Sequence, residues 1–178
     1  MTRTREETSG RGGDESFRLI TKSFEDPAVE VRNATARALY DLDSDRAASF
    51  TRALREASPD RRRKIGAAVA GSGLARDAIN ALSGESREKT HDAFSILFLM
   101  AKAGEVQPLI QAIKEHSDLE VRLAVIKLLA LSNQPQSLPA LRSLVVRGSL
   151  PPDVHAAVMA AIYSLSNEAR ENAPAVVQ

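Results

Sequence analysis

The chain has 178 residues, of which 43% are hydrophobic and 26% charged, with 24 Lys and Arg against 23 Asp and Glu. Enough apolar surface is present to offset the entropy of ordering, which excludes a disordered chain, and a net charge of +1 supplies no global field toward nucleic acid or an anionic membrane. The absence of cysteine excludes disulfides, thiol chemistry and cysteine-ligated zinc.

No apolar run approaches the ~20 residues of a membrane span. The N-terminus carries no apolar signal core, so the expected location is cytoplasmic. Residues 1–13 (MTRTREETSGRGG) are polar and glycine-rich, with no apolar residue after Met1. They read as a flexible tail, or as a linker that would make this chain the C-terminal module of a longer protein. A helical domain is expected over residues 14–166, where Ala and Leu dominate and period-two alternation is absent. Residues 167–178 lose that periodicity and are expected to fray. Asp26-Pro27 and Ser58-Pro59 each place a capping side chain before a proline at the first helical position. Ser117 and Glu120 have the spacing of a capping box. Gly71, Gly73, Gly84, Gly104 and Gly148 fall where helices should stop. About ten short helices result.

One apolar template recurs in five of them, at offsets 0, +3, +4, +7, +8 and +11, starting at residues 31, 61, 90, 121 and 154. Those offsets trace one face of an α-helix, and the spacings of 30, 29, 31 and 33 accommodate two short helices each. A helical hairpin of this size cannot bury its face alone, so neighbours must stack. The partner helix precedes each template helix, with stripes at Phe17 and Phe24, Phe50 and Leu54, Leu74 and Leu82, Leu109 and Ile113, and Leu141 and Leu144.

The segments DPAVEVRNATARALYDL (26–42) and SDLEVRLAVIKLLAL (117–131) resemble the second half of a HEAT repeat. In that family an Asp lies in the turn and an Arg stands six residues later, near the start of the second helix. Asp26 and Arg32 match; Glu56 with Arg62, and Glu85 with His91, keep the chemistry loosely. The fourth and fifth copies have Arg122 and His155 but His116 and Ser149 at the acidic place, so the match fails there. The resemblance covers roughly residues 14–166 and implies that these positions brace neighbouring repeats.

Arg32, Arg62, His91, Arg122 and His155 thus form a ladder at one equivalent position. Their guanidinium groups suit an anionic groove, but the expectation is internal bracing by the acidic turn residues. The run Arg61-Arg62-Arg63-Lys64 opens a helix, where the dipole disfavours cations by some ~0.3–1 kcal/mol. Arg61, Arg63 and Lys64 are therefore the candidate partner-binding residues, with a solvated face as the bland alternative. The same helix carries Gly66, which costs about 1 kcal/mol relative to Ala, and is expected to belong to the least stable hairpin. Ile96, Leu99 and Met100 lie off the stripe of the third template helix; a docking patch is conceivable, but burial between neighbours is expected. His91-Asp92 has no second histidine at ligand spacing, and phosphate-loop, GxSxG and HExxH patterns are missing.

The expected fold is therefore all-α, a right-handed α-solenoid of about five HEAT-like hairpins. The expected function is a non-enzymatic scaffold holding a protein or peptide partner, with no cofactor and no metal. The alternatives are a nucleic-acid protein related to the alkylpurine DNA glycosylases, against which the charge and missing Trp count, and a bilin-lyase-like subunit, for which no bilin site is marked.

Overall fold

A computed structural model of the chain describes residues 6–172. The described residues form ten α-helices and no strand. In chain order these are α1 (Glu6–Lys22), α2 (Val29–Leu42), α3 (Arg46–Arg55), α4 (Pro59–Gly71), α5 (Leu74–Ala81), α6 (Arg87–Lys102), α7 (Gln107–Glu115), α8 (Leu119–Ser132), α9 (Ser137–Arg147) and α10 (Pro152–Glu171), with a 3-10 turn at Ser23–Glu25 after α1.

Both outer boundaries differ from expectation. Helix α1 starts at Glu6 and runs through the glycines rather than beginning at 14, and α10 runs on to Glu171 rather than ending at 166. Once a packed segment has nucleated a helix, each further residue adds one hydrogen bond for one residue fixed, so extension past the packed part is inexpensive. Gly12 and Gly13 face open space. The rest of the two expected tails, residues 1–5 and 173–178, lies outside the described residues.

Helix starts follow local chemistry, with two shifts. Ser58 caps α4 as expected, accepting from the Arg61 amide at 3.2 Å. Asp26 does not cap α2. It accepts from the Ala28 amide at 2.8 Å and shapes the turn, and the helix begins at Val29. Asp118, rather than Ser117, caps α8, accepting from the Glu120 amide at 2.9 Å. In each case the shorter two-residue Asx reach wins.

Helices α2, α4, α6, α8 and α10, which carry the template, pack in series, each on the next. Each also packs on the helix before it in the chain. A single buried cluster runs through all five pairs, from Phe17 and Phe24 through Phe50, Leu97, Leu109 and Leu128 to Val158 and Leu165. The stripes hold throughout the middle: Val121, Val125, Leu128 and Leu129 of α8 are fully buried. Ile96 and Met100 of α6 are buried and Leu99 half-buried, so the off-stripe residues are covered by neighbours.

The third pair departs from the pattern. Only Ser72 and Gly73 separate α4 from α5, and Gly73 adopts φ 85°, which turns the chain sharply. The short α5 packs chiefly on α6, while α3 packs across onto α6 as well as onto α2.

Candidate functional site

Two arginines of the ladder, Arg62 and Arg122, reach back to the end of the preceding helix, and Arg32 reaches the turn before its own. The last carbonyls of a helix have no intrahelical donor and carry the negative end of the dipole. Arg122 sits in the first turn of α8 and donates from Nε to the Ile113 carbonyl at 2.7 Å and from Nη2 to Lys114 at 2.8 Å, at the end of α7. Arg62 of α4 donates from Nε to the Leu54 carbonyl of α3 at 2.9 Å. Arg32 of α2 donates from Nη1 to the carbonyls of Asp26 at 2.7 Å and Pro27 at 2.9 Å. In α6 the hydroxyl of Thr90, beside His91, does the same toward Ala81 at 3.3 Å.

This corrects the expected partners. The acceptors are main-chain carbonyls, that of Asp26 among them, and no acidic side chain of a turn braces the ladder. Asp26 serves its own turn, Glu56 accepts from Arg52 of its own helix at 3.1 Å, and Glu85 is exposed with no ion pair among the described residues. His91 and His155 are exposed and make no side-chain hydrogen bond among the described residues. Thr90 was hidden because a hydroxyl in a first turn is commonplace, and carbonyl acceptors leave no mark in a sequence.

The basic run is engaged as well. Glu25, just before α2, accepts from Arg61 Nε at 2.6 Å and from Lys64 Nζ at 2.8 Å. Lys64 also reaches Asp60 at 3.1 Å. Lys64 first, then Arg61, holds the Glu25 carboxyl below its usual range. The Glu25 and Asp60 carboxylates in turn raise Lys64. Arg63 reaches only Asp60, at 3.4 Å, and its side chain is 70% exposed. Of the three residues expected to bind a partner, two therefore tie α4 to the preceding pair, and Arg63 alone stands largely in solvent.

A different set of side chains surrounds a cleft between helices. It has a volume of about 360 Å³ and lies between α2, α5 and α6, with Arg46 of α3 at its edge. Its floor is apolar: Leu74, Ala93 and Ile96 are buried there. Arg37 donates from Nε to the Ser72 carbonyl at 3.0 Å and from Nη2 to Asp77 at 3.1 Å, so its charge is largely spent. Arg46 lies 4.3 Å over the Tyr40 ring and donates from Nη1 to its hydroxyl at 2.8 Å. That leaves the guanidinium without a carboxylate. Lys89 is exposed at the rim and has no ion pair among the described residues. The cleft thus sets Arg46 and Lys89, neither in an ion pair among the described residues, beside the carboxylate of Asp92 above an apolar floor. Sequence reasoning missed it because its residues come from four helices and share no spacing.

A second groove of about 350 Å³ between α5 and α7 is almost wholly apolar, floored by Ala75, Ile79 and Ala112. Among the described residues no three His, Asp or Glu side chains gather at metal-holding distance. No described helix is long and apolar enough to cross a membrane. Comparison with family models and with curated proteins gives no match for this chain.

Proposed function

We propose that the chain is a right-handed α-solenoid of five HEAT-like hairpins that works as a non-enzymatic, cytoplasmic scaffold for a protein partner. The serial packing of the template helices supports the array. So does the recurrence of Arg62 and Arg122 on the end of the helix that precedes each of them. Fold alone does not assign function; the surface must.

The observation that carries the binding reading is the cleft edged by Arg46 and Lys89 over Leu74, Ala93 and Ile96. An apolar floor with a few convergent polar groups is the usual form of a binding site. The partner that fits is a peptide segment with one apolar side chain for the floor and carboxylates for Arg46 and Lys89.

Affinity capture with partner identification, run on wild type and on an Arg46→Glu/Lys89→Glu variant, tests this. The variant should lose the captured partner while its circular dichroism stays unchanged. Capture that survives both reversals removes the cleft from the site. Steep salt dependence of binding to random DNA would favour the nucleic-acid alternative.

A further inference from the structure

We propose that the face built by α5, α7 and α9 docks an extended acidic peptide, with an apolar side chain in the groove between α5 and α7 and carboxylates in the groove between α7 and α9. None of the residues lining these two grooves lines the cleft edged by Arg46 and Lys89, and the inference does not depend on that cleft.

Helices α5, α7 and α9 lie side by side, α5 packing on α7 and α7 on α9. A groove remains on each side of α7. The one toward α5 is the apolar groove of about 350 Å³. The one toward α9 has a volume of about 310 Å³. Gln111, exposed on α7, lines both, so it marks the ridge between them.

The groove between α7 and α9 is one-sided in charge. Lys114 and Arg147 reach it from the last turns of their helices, and no Asp or Glu lines it. The helix dipole favours a cation in a last turn, which accounts for either one alone. It does not account for two of them meeting in one groove without a carboxylate. Arg147 is exposed and has no ion pair among the described residues. Lys114 has only its chain neighbour Glu115, at 3.8 Å, and both side chains are more than half exposed. So loose and exposed a pair holds the ammonium weakly. Beneath the two cations, Leu144 is buried and Ile110 half-buried.

The complement of this groove is a pair of carboxylates, and the complement of its neighbour is an apolar side chain. Packed helices have axes about 8–10 Å apart, which sets the step from one groove to the next. A chain in the polyproline II form rises about 3.1 Å per residue and repeats its face every three, so side chains at i and i+3 point the same way roughly 9 Å apart. An apolar residue followed three positions later by an acidic one therefore spans the ridge. The carbonyls of such a chain are unpaired, and the Gln111 amide has the donors to meet one of them. A single nucleic-acid strand fits less well, because no Phe, Tyr or Trp lines either groove to stack a base.

Titration of the full chain with the end-blocked peptide Leu-Pro-Pro-Glu-Glu, followed by amide chemical shifts, tests this. The amides of Ile79, Gln111, Lys114, Ser143 and Arg147 should move together. Leu-Pro-Pro-Lys-Lys and Ser-Pro-Pro-Glu-Glu should each bind far more weakly. Lys114→Gln/Arg147→Gln should weaken binding roughly tenfold, since each exposed ion pair contributes up to about fivefold. Lys114→Glu/Arg147→Glu should abolish it with circular dichroism unchanged. No movement at either groove at several millimolar peptide overturns the proposal, as does equal movement with the lysine peptide. Movement confined to Arg46, Lys89 and their neighbours overturns it in favour of the other cleft. Movement of Lys114 and Arg147 with oligothymidine but not with the peptide overturns it in favour of nucleic acid.

Discussion

An arginine that donates to the end of another helix acts as a capping group supplied from outside that helix. Arg122 does so twice, to Ile113 and Lys114. Hydrogen bonds from a charged donor contribute about 1.5–3 kcal/mol each at most, and their loss leaves shielded carbonyls without a donor. Arg122→Ala should lower stability by roughly 1–3 kcal/mol in a chemical-denaturation experiment. Arg122→Lys should recover only part of it, since an ammonium lacks the planar fork. An unchanged midpoint for Arg122→Ala would sink this account. Glu25 gives a pH-dependent counterpart. Lys64 and Arg61 depress its folded pKa, so its contribution is fully present above the unfolded value, roughly pH 4, and disappears as pH falls through the folded one. The stability gap between wild type and Glu25→Gln should therefore be widest near neutrality and close on acidification. A gap that widens in acid would contradict the geometry. Arg122 was visible in the sequence as a ladder position, but its partners were not, and Glu25 was not singled out. A carbonyl acceptor is the same atom in every residue, and Glu25 lies in the preceding repeat.

At the level of single helices, α4 shows how a local cost can serve packing. The four cations at its start looked unfavourable against the dipole, but Glu25 and Asp60 lie within salt-bridge distance of three of them. Gly66 likewise looked like a plain loss of helix propensity. It is buried where α4 meets the end of α6, and a Cβ there would stand 2.9 Å from the Ala103 Cβ and 3.3 Å from that of Glu105. Neither neighbour atom is the flexible tip of a side chain. Gly66→Ala should gain about 1 kcal/mol of intrinsic helicity and lose some 1–3 kcal/mol to overpacking. The expected outcome is a lower thermal midpoint, and a raised one would show that α6 yields freely. Helix positions and their apolar faces were legible because period 3.6 is a property of the sequence itself. Helix caps were less so, because Asp26 and Asp118 close two-residue turns that compete with the expected ones.

For the molecule as a whole, the repeat stripe located the core well. Leu128 was placed between two pairs on spacing alone and is fully buried. Leu128→Ala should cost about 2–5 kcal/mol, from lost transfer energy and the cavity left behind, and an unaltered melt would refute the register. What spacing did not disclose is the crossing of α3 onto α6 and the cleft that α2, α5 and α6 form beside it. Both follow from the shortness of α5 and the two-residue link at Ser72-Gly73, which bring α6 to a place a regular repeat would give to another helix. That crossing has a consequence for the nascent chain. The apolar side of α3, with Phe50 and Leu54, shares a seam with Ile96, Leu99 and Met100 of α6, and so stays incompletely covered until α6 has been translated. At roughly 5–20 residues per second that interval lasts on the order of several seconds. During that time the emerging N-terminal half offers Phe50 to any chaperone near the ribosome.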